Sequence, residues 1–420
     1  MVLDGYVFGT MAIALGPAAD DLGLSDWWTG LVSAGALIGI FLGSLVVGWA
    51  SDRFGRRPLF IWELVLFIVA GVAQQWARDP VTLFALRVAL GVAIGSEYAI
   101  GAAMLAEFSP RKQRGASLSS LQTFWLVGYV IAYFTSYALD ASGVAWRTIL
   151  ASTAVVAALV LVARLRAPES PRWLATKGRL DEARTVVGRH YGPEYGVEDL
   201  ALEKEAHVRY AVIFGPRYRT RTAFAAIFWT CQITCAYAIL LFMPMIFTAL
   251  GIAEGLTADV VINAATVIGG ALGIYLCWKL PRRVLVVWSF VLMTVFMLVM
   301  ASYQLVPSWA TLVAFVIFML VINGASNLEF VYPAEMFPTE VRSSAVGFAA
   351  ATARIGSVAS AFVLPSLLSS IGAAWTLVIL AAVCAYGAVV SALWAPETRG
   401  LSLLEASGVQ DLRATPARAE

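Results

Sequence analysis

Gly48-Trp-Ala-Ser-Asp-Arg-Phe-Gly-Arg-Arg-Pro58 sets four charges, Asp52, Arg53, Arg56 and Arg57, between two long apolar runs, roughly Trp27 to Val47 before it and Leu59 to Trp76 after it. An apolar run of about 20 residues crosses a bilayer as a helix. A short, charged, glycine-containing turn between two such runs is therefore a tight loop at a membrane surface. Outward from it the chain divides into twelve apolar runs, roughly 2–19, 27–48, 59–77, 81–106, 117–139, 146–166, 222–250, 258–279, 284–304, 308–333, 344–370 and 373–395.

Composition agrees. The 420 residues are 60% hydrophobic and 13% charged, with a mean hydropathy of +0.79. Soluble domains are nearer one quarter charged, so most of this chain has no water to face. Both histidines, His190 and His207, lie in a polar stretch from about Leu165 to Arg221, and no apolar run contains one. There is no His-Glu-x-x-His zinc motif and no Gly-x-x-x-x-Gly-Lys-Ser/Thr phosphate loop, which opposes a membrane metalloenzyme and an ATP-driven pump. Cys231, Cys235, Cys277 and Cys384 all sit inside apolar runs, where a thiol serves as a small packing residue. No cleavable signal peptide is evident. No cofactor, metal or nucleic-acid partner is expected, and the chain is expected to be no enzyme.

Charge placement sets the orientation. With the N-terminus in the cytoplasm, the outside loops hold only Arg78 and Arg147. Arg87 and Arg354 fall within spans, and the other 25 of the 29 Lys and Arg lie inside. Basic residues accumulate on the cytoplasmic side, so both termini are expected there, in the plasma (cytoplasmic) membrane. Reporter fusions at Ser25 and Gly196 should report outside and inside respectively; identical localisation of the two would overturn this topology.

The halves repeat. Ala106-Glu-Phe-Ser-Pro-x-x-x-Arg114 returns as Ala334-Glu-Met-Phe-Pro-x-x-x-Arg342, and Ala167-Pro-Glu-Ser170 returns as Ala395-Pro-Glu-Thr398. Both pairs (106 to 334, 167 to 395) share an offset of 228 residues. The charged turn has a weaker echo at Lys279-Leu-Pro-Arg-Arg283. An all-α membrane protein follows, with twelve transmembrane helices in two pseudo-symmetric six-helix bundles. Its expected divisions are an N-terminal bundle over 1–166, a cytoplasmic linker with short amphipathic helices over 167–221, a C-terminal bundle over 222–395 and a cytoplasmic tail over 396–420.

The charged turn resembles the signature of the major facilitator superfamily, Gly-x-x-x-Asp-Arg-x-Gly-Arg-Arg between helices two and three. Pro168-Glu-Ser-Pro-Arg-Trp-Leu174 and Pro396-Glu-Thr-Arg-Gly-Leu401 look like the two sugar-porter signatures. Arg87-x-x-x-Gly91-x-x-x-Gly95 with Glu107-x-x-Pro-x-x-x-Arg-Gly115 is similar to the fourth helix of sugar and organic-ion porters. The sugar-binding patterns of helices seven and ten are replaced by Cys231-Gln-Ile-Thr-Cys-Ala-Tyr237 and Asn323-Gly-Ala-Ser-Asn-Leu-Glu329. Asp4-Gly-Tyr6, Gly95-Ser-Glu-Tyr98 and Tyr332-Pro-Ala-Glu-Met-Phe-Pro-Thr-Glu look more like proton-coupled metabolite symporters. Members usually carry a cytoplasmic lead before helix one, so residue 1 is expected to be a truncated or misassigned start.

Charges inside spans are the best functional candidates, because they are costly in hydrocarbon. Asp4, Arg87 and Glu97 are the expected proton-coupling residues. The resemblance implies that Arg87 pairs with a helix-one acid, although the family's own position for that acid is Val7 here. Glu63, one turn into helix three, is expected to snorkel. Glu329 and Arg354 lie at similar depth on neighbouring helices and are expected to form a salt bridge, either binding substrate or locking the C-terminal half. Gln122, Trp125, Tyr129, Gln232, Tyr237, Asn263 and Asn327 join them as candidate substrate contacts; packing is the plain alternative for such stripes. The family's charged motifs act as a cytoplasmic gate, here Asp52, Arg53, Arg56, Arg57, Glu107, Arg114, Glu169, Arg172, Glu335, Arg342, Glu397 and Arg399. Gly35, Gly39 and Gly43 share one face of helix two and are expected to pack closely.

The function implied is secondary transport of a small polar metabolite by alternating access, coupled to proton symport, by a monomer. An uncoupled facilitative carrier of a sugar or organic ion, and a transporter-like sensor, stay open as alternatives.

Overall fold

The computed structural model describes residues 1–108, 114–165, 167–191, 210–250, 256–337 and 339–399. Among them there is helix, turn and loop but no strand. Apolar runs this long have no water to satisfy their backbone groups, and the helix meets every one within the segment.

The first half comprises α1 (Val2–Leu22), α2 (Asp26–Phe54), α3 (Arg56–Ala73), α4 (Pro80–Phe108), α5 (Arg114–Ala141), and α6 (Trp146–Ala151) with α7 (Thr153–Arg164). Short helices α8 (Pro171–Thr176) and α9 (Leu180–Tyr191) follow. The second half comprises α10 (Arg219–Leu241), α11 (Met243–Leu250), α12 (Leu256–Lys279), α13 (Arg282–Ala301), α14 (Ser308–Ala325), α15 (Leu328–Met336) and α16 (Thr339–Trp394). Among the described residues, ten stretches are long and apolar enough to cross a membrane. One of them, Ala345–Trp394, spans 50 residues and breaks at Gly372, whose φ of 78° only glycine adopts without strain; it holds two crossings. α5 is 28 residues long but is not among the ten, since Gln122, Thr123, Tyr129, Tyr133, Ser136 and Tyr137 dilute its apolar character.

The outer surface is hydrocarbon-like. Trp62, Trp76, Leu159, Val162, Trp309 and Trp375 are all exposed, a surface suited to lipid rather than water. Inside, α2 and α4 approach backbone to backbone. A Cβ at Gly39 would collide with the Val88 carbonyl, and one at Gly91 with that of Ala36. The expected small-residue face of helix two is thus a packing seam, and α4 supplies the matching glycines. The four cysteines are buried and free. Beyond the first half, Leu174 and Ala183 form a small core of their own between α8 and α9. The second expected amphipathic helix, near 197–205, lies outside the described residues.

Candidate functional site

Three acids and one guanidinium meet inside the first half. Asp4 comes from the first turn of α1, Glu63 from α3, Glu97 from α4 and Arg164 from the last turn of α7. The acids are 0%, 3% and 5% exposed, so water screens none of them. Arg164 Nη2 donates to Glu97 Oε1 at 2.9 Å, and Nη1 donates to Glu63 Oε1. The guanidinium lies 3.7 Å from the centre of the Phe60 ring. The Met1 amine sits 3.2 Å from Asp4 and also contacts Glu97. The second oxygens of Glu63 and Glu97, and both of Asp4, are buried with no hydrogen bond to them. Glu97 and Arg164 also line a cavity of about 360 Å³, together with Phe60, Met104 and Phe124.

Sequence spacing found Glu97 but missed its partner. Arg164, at the end of the apolar run 146–166, falls among the 25 basic residues assigned to the inside, and Glu63 is expected to snorkel; instead Glu63 is buried and paired with Arg164. Depth was the available signal. Glu63 lies about 10 Å along α3 from its charged end, at about 1.5 Å per residue, and a long Arg at the end of a neighbouring span reaches that level.

Arg87 departs from expectation. It is fully buried, and Nη1 donates to the Val7 carbonyl at 3.3 Å. Its Nε and Nη2 have no hydrogen-bond partner. Among the described residues no carboxylate lies within ion-pair distance of it, and Asp4, three residues before Val7, turns instead towards Met1. A carbonyl dipole stands where the resemblance implied an acid.

The two halves meet over aromatic rings. Phe8 lies 5.8 Å from Trp125 and 5.5 Å from Tyr237, and Trp125 lies 6.0 Å from Tyr129 and 6.4 Å from Tyr237 (ring centres). Arg354, on α16, lies over the Tyr98 ring of α4 at 5.3 Å and interacts with Tyr237. The expected Glu329–Arg354 salt bridge is not formed. Glu329 accepts from Trp229 Nε1 at 2.9 Å: equal depth brought the pair near, but an indole within reach took the carboxylate. Gln232 donates to Ile322 O at 3.5 Å and Asn327 to Gly270 O at 3.0 Å, each joining two segments; Asn263 donates to Asp259 O at 2.9 Å within its own helix, α12. Gln122 is half-buried in α5.

The end away from the charged turns is closed. Tyr129 donates to Leu240 O at 2.7 Å, and Tyr133 to Asp259 Oδ1 at 2.8 Å. Trp27 packs edge-on against Phe362 at 4.6 Å, and Ser369 donates to Asp26. Each of these contacts joins one half to the other.

At the charged end the two halves repeat one device. Glu169 accepts from the backbone N–H groups of Arg56 and Arg57 at 3.1 and 3.2 Å, at the N-terminus of α3. Glu397 accepts from those of Arg282 and Arg283 at 2.9 and 3.1 Å, at the N-terminus of α13. Arg57 reaches back to Leu165 O at 3.1 Å, and Arg283 to Ala392 O at 2.7 Å. Each carboxylate meets the unpaired N–H groups and positive dipole end of a long helix. Arg282 adds an ion pair with Glu335 at 3.1 Å. Glu397 also accepts from Arg399 N at 2.9 Å. Burial alone would raise the Glu397 pKa; the backbone donors Arg399, Arg282, Arg283 and Thr398 outweigh it and hold the carboxyl below its usual range. Among the described residues, these interactions stay within one half. The side chains of Asp52, Arg53, Glu107, Arg114, Arg172 and Arg342 lie outside the described residues.

Glu397→Gln and Glu169→Gln should each slow substrate exchange several-fold while leaving the amount of folded protein unchanged. A depressed carboxylate pKa stabilises the fold above the unfolded pKa, and that gain is lost as pH falls through the folded one. The melting difference between wild type and Glu397→Gln should therefore be present at pH 7 and shrink through the acidic range. Wild-type exchange rates in both variants would reduce these contacts to packing.

A family model described as sugar (and other) transporter matches residues 9–409. The chain is similar to the inner membrane metabolite transport protein YgcS of Escherichia coli (strain K12), at 39% identity over 409 residues, 97% of this chain and 91% of that one. It is 26% identical over 423 residues to an arabinose-proton symporter of Bacillus subtilis (strain 168), covering 96% of this chain and 91% of that one. In fold it is similar to the inward-open conformation of the xylose transporter XylE from E. coli, with a TM-score of 0.80 at 20% identity, covering 98% of each chain.

Proposed function

We propose that this chain, which belongs to the sugar (and other) transporter family of the major facilitator superfamily, is a proton-coupled secondary transporter of a small polar metabolite. The observation that carries the coupling is the buried cluster of three acids, in which Arg164 pairs with Glu63 and Glu97 while Asp4 lies beside the Met1 amine, leaving more carboxylates than cations. A proton is the cation small enough to neutralise an acid that Arg164 cannot. Taking one up or giving it up changes how tightly α1, α3, α4 and α7 are tied together.

The charged end is cytoplasmic in this reading, with both termini inside and the halves divided as 1–166 and 222–395. The contacts Tyr133–Asp259 and Tyr129–Leu240 then shut the outer face, and the site opens inward. Glu169 and Glu397 brace the inner ends of α3 and α13 while the halves rock about substrate held near Tyr98, Trp125, Tyr237 and Arg354. The protein works as a monomer in the cytoplasmic membrane.

Purified protein in proteoliposomes tests this. An inside-alkaline pH gradient, with no substrate gradient, should drive uptake of a transported metabolite, and a protonophore should abolish it. Uptake that merely equilibrates and ignores the pH gradient would make the chain an uncoupled facilitator. One observation favours that second reading: Arg87 meets the Val7 carbonyl rather than an acid.

A further inference from the structure

Among the described residues, two donor groups at the contact between the halves have nothing to donate to. Trp125, on α5, is 5% exposed, and its Nε1 is buried with no partner. Arg354, on α16, has its Nη1 buried with no partner. Both residues flank Tyr237: Trp125 by ring contact at 6.4 Å, Arg354 through the phenol. The two residues that carry the orphaned donors thus come from opposite halves and both contact one aromatic side chain, Tyr237.

A buried donor without an acceptor is costly, and such groups are rarely left alone in a folded protein. Indole N–H and guanidinium are donors only, so whatever completes this place must bring acceptors. Negative charge suits the place as well, because among the described residues no carboxylate lies within ion-pair distance of Arg354 and Glu329 acts on it only through space. Glu329 accepts from Trp229 Nε1 at 2.9 Å and is not within ion-pair distance of Arg354. The Tyr237 phenol accepts from the guanidinium and the Tyr98 ring supplies an attractive quadrupole, but Nη1 is left without an acceptor.

We infer that Arg354 and Trp125 form the recognition point for the carboxylate of a small organic acid, so that the transported metabolite is a monocarboxylate. This rests on the transporter reading above and narrows it. The planar guanidinium fork matches the two oxygens of a carboxylate. The indole N–H adds a donor from the other half. Phe8, Trp125 and Tyr237 offer ring faces to the C–H or aromatic body of the acid. Because the donors belong to different halves, a bound carboxylate bridges them.

The test uses the full chain purified in lipid nanodiscs. Its melting temperature is followed with D-gluconate, D-galactonate, lactate and benzoate, and with the neutral counterparts D-gluconamide, D-glucose, lactamide and benzamide. At least one carboxylate should raise the melting temperature while its neutral counterpart does not. Arg354→Gln should weaken that binding about tenfold or more, the usual consequence of losing a hydrogen bond to a charged group. Arg354→Lys keeps the charge without the fork and should fall between. Trp125→Phe keeps an aromatic ring but removes the N–H together with part of the indole, so it should weaken carboxylate binding several-fold, and the melting temperature of the ligand-free variant shows how much of that is lost packing. The inference is overturned if no carboxylate in the panel binds, if neutral compounds bind as well, or if Arg354→Gln and Trp125→Phe leave carboxylate affinity unchanged. Proteoliposomes separate this from the transport reading. An acid that binds through Arg354 but does not exchange across the membrane sinks transport and leaves the site. A neutral sugar carried at the wild-type rate by Arg354→Gln sinks the site and leaves transport.

Discussion

Arg164→Ala should be the most destabilising single substitution at the charged cluster, lowering stability by about 3–5 kcal/mol, the usual range when one partner of a buried ion pair is removed. Arg164 is the only side-chain cation described in contact with Glu63 and Glu97. Without it, two buried carboxylates face each other and Asp4 with no guanidinium between them. They then either stay charged at that cost or take up protons, and both routes leave the four helices less firmly joined. The effect should appear as a fall of many degrees in the melting temperature of the detergent-purified protein. Adding Glu63→Gln to Arg164→Ala should recover part of the loss, because an amide needs no counter-charge. A variant that melts within a degree of wild type, with no recovery to make, would show that the cluster does not hold the helices.

This cluster also marks where sequence reasoning stopped. The charged turn, the spans and the 228-residue repeat are local or periodic features, and each is visible along a single chain. The glycine seam was legible for the same reason: Gly35, Gly39 and Gly43 are spaced on one face, and α2 packs on α4 through it. Pairing across helices is different. Spacing sets Glu329 and Arg354 on neighbouring helices, and the two do interact electrostatically, yet it does not give the rotation of each helix about its axis. Trp229 lies on a third helix, and its indole, not Arg354, receives the carboxylate. Likewise, Arg87 and Asp4 are on the expected helices, but the acid sits three residues from where the guanidinium points. Glu169 and Glu397 stand out in the sequence as charged-motif residues at the ends of the spans. Their partners, however, are backbone N–H groups at helix ends, which no pattern of charged side chains announces.

Replacing Glu97 by Gln should abolish uphill accumulation of substrate while leaving substrate counterflow intact. Counterflow exchanges one substrate for another across the membrane and needs no net proton movement, so it reports binding and the rocking of the halves. Accumulation against a gradient needs an acid that changes charge once per cycle. Glu97 is the first choice because it touches Arg164, lines the cavity with it, and lies on α4 beside Tyr98, whose ring meets Arg354 of the other half. A change of charge at Glu97 is thus one residue away from a contact that joins the halves. Asp4→Asn is the parallel test, since Asp4 belongs to the same cluster by burial, and its own described ion pair is with Met1. With Glu97→Gln the accumulation ratio should fall to about one, whatever the imposed pH gradient, because a coupled step that contributes RT ln of the ratio is removed. Glu97→Asp, which keeps the charge on a shorter arm, should retain coupling at a reduced rate. Should Glu97→Gln and Asp4→Asn both still accumulate substrate with the pH dependence of wild type, coupling does not run through these acids. Arg87, held on the Val7 carbonyl, would then belong to a carrier that moves its substrate only downhill.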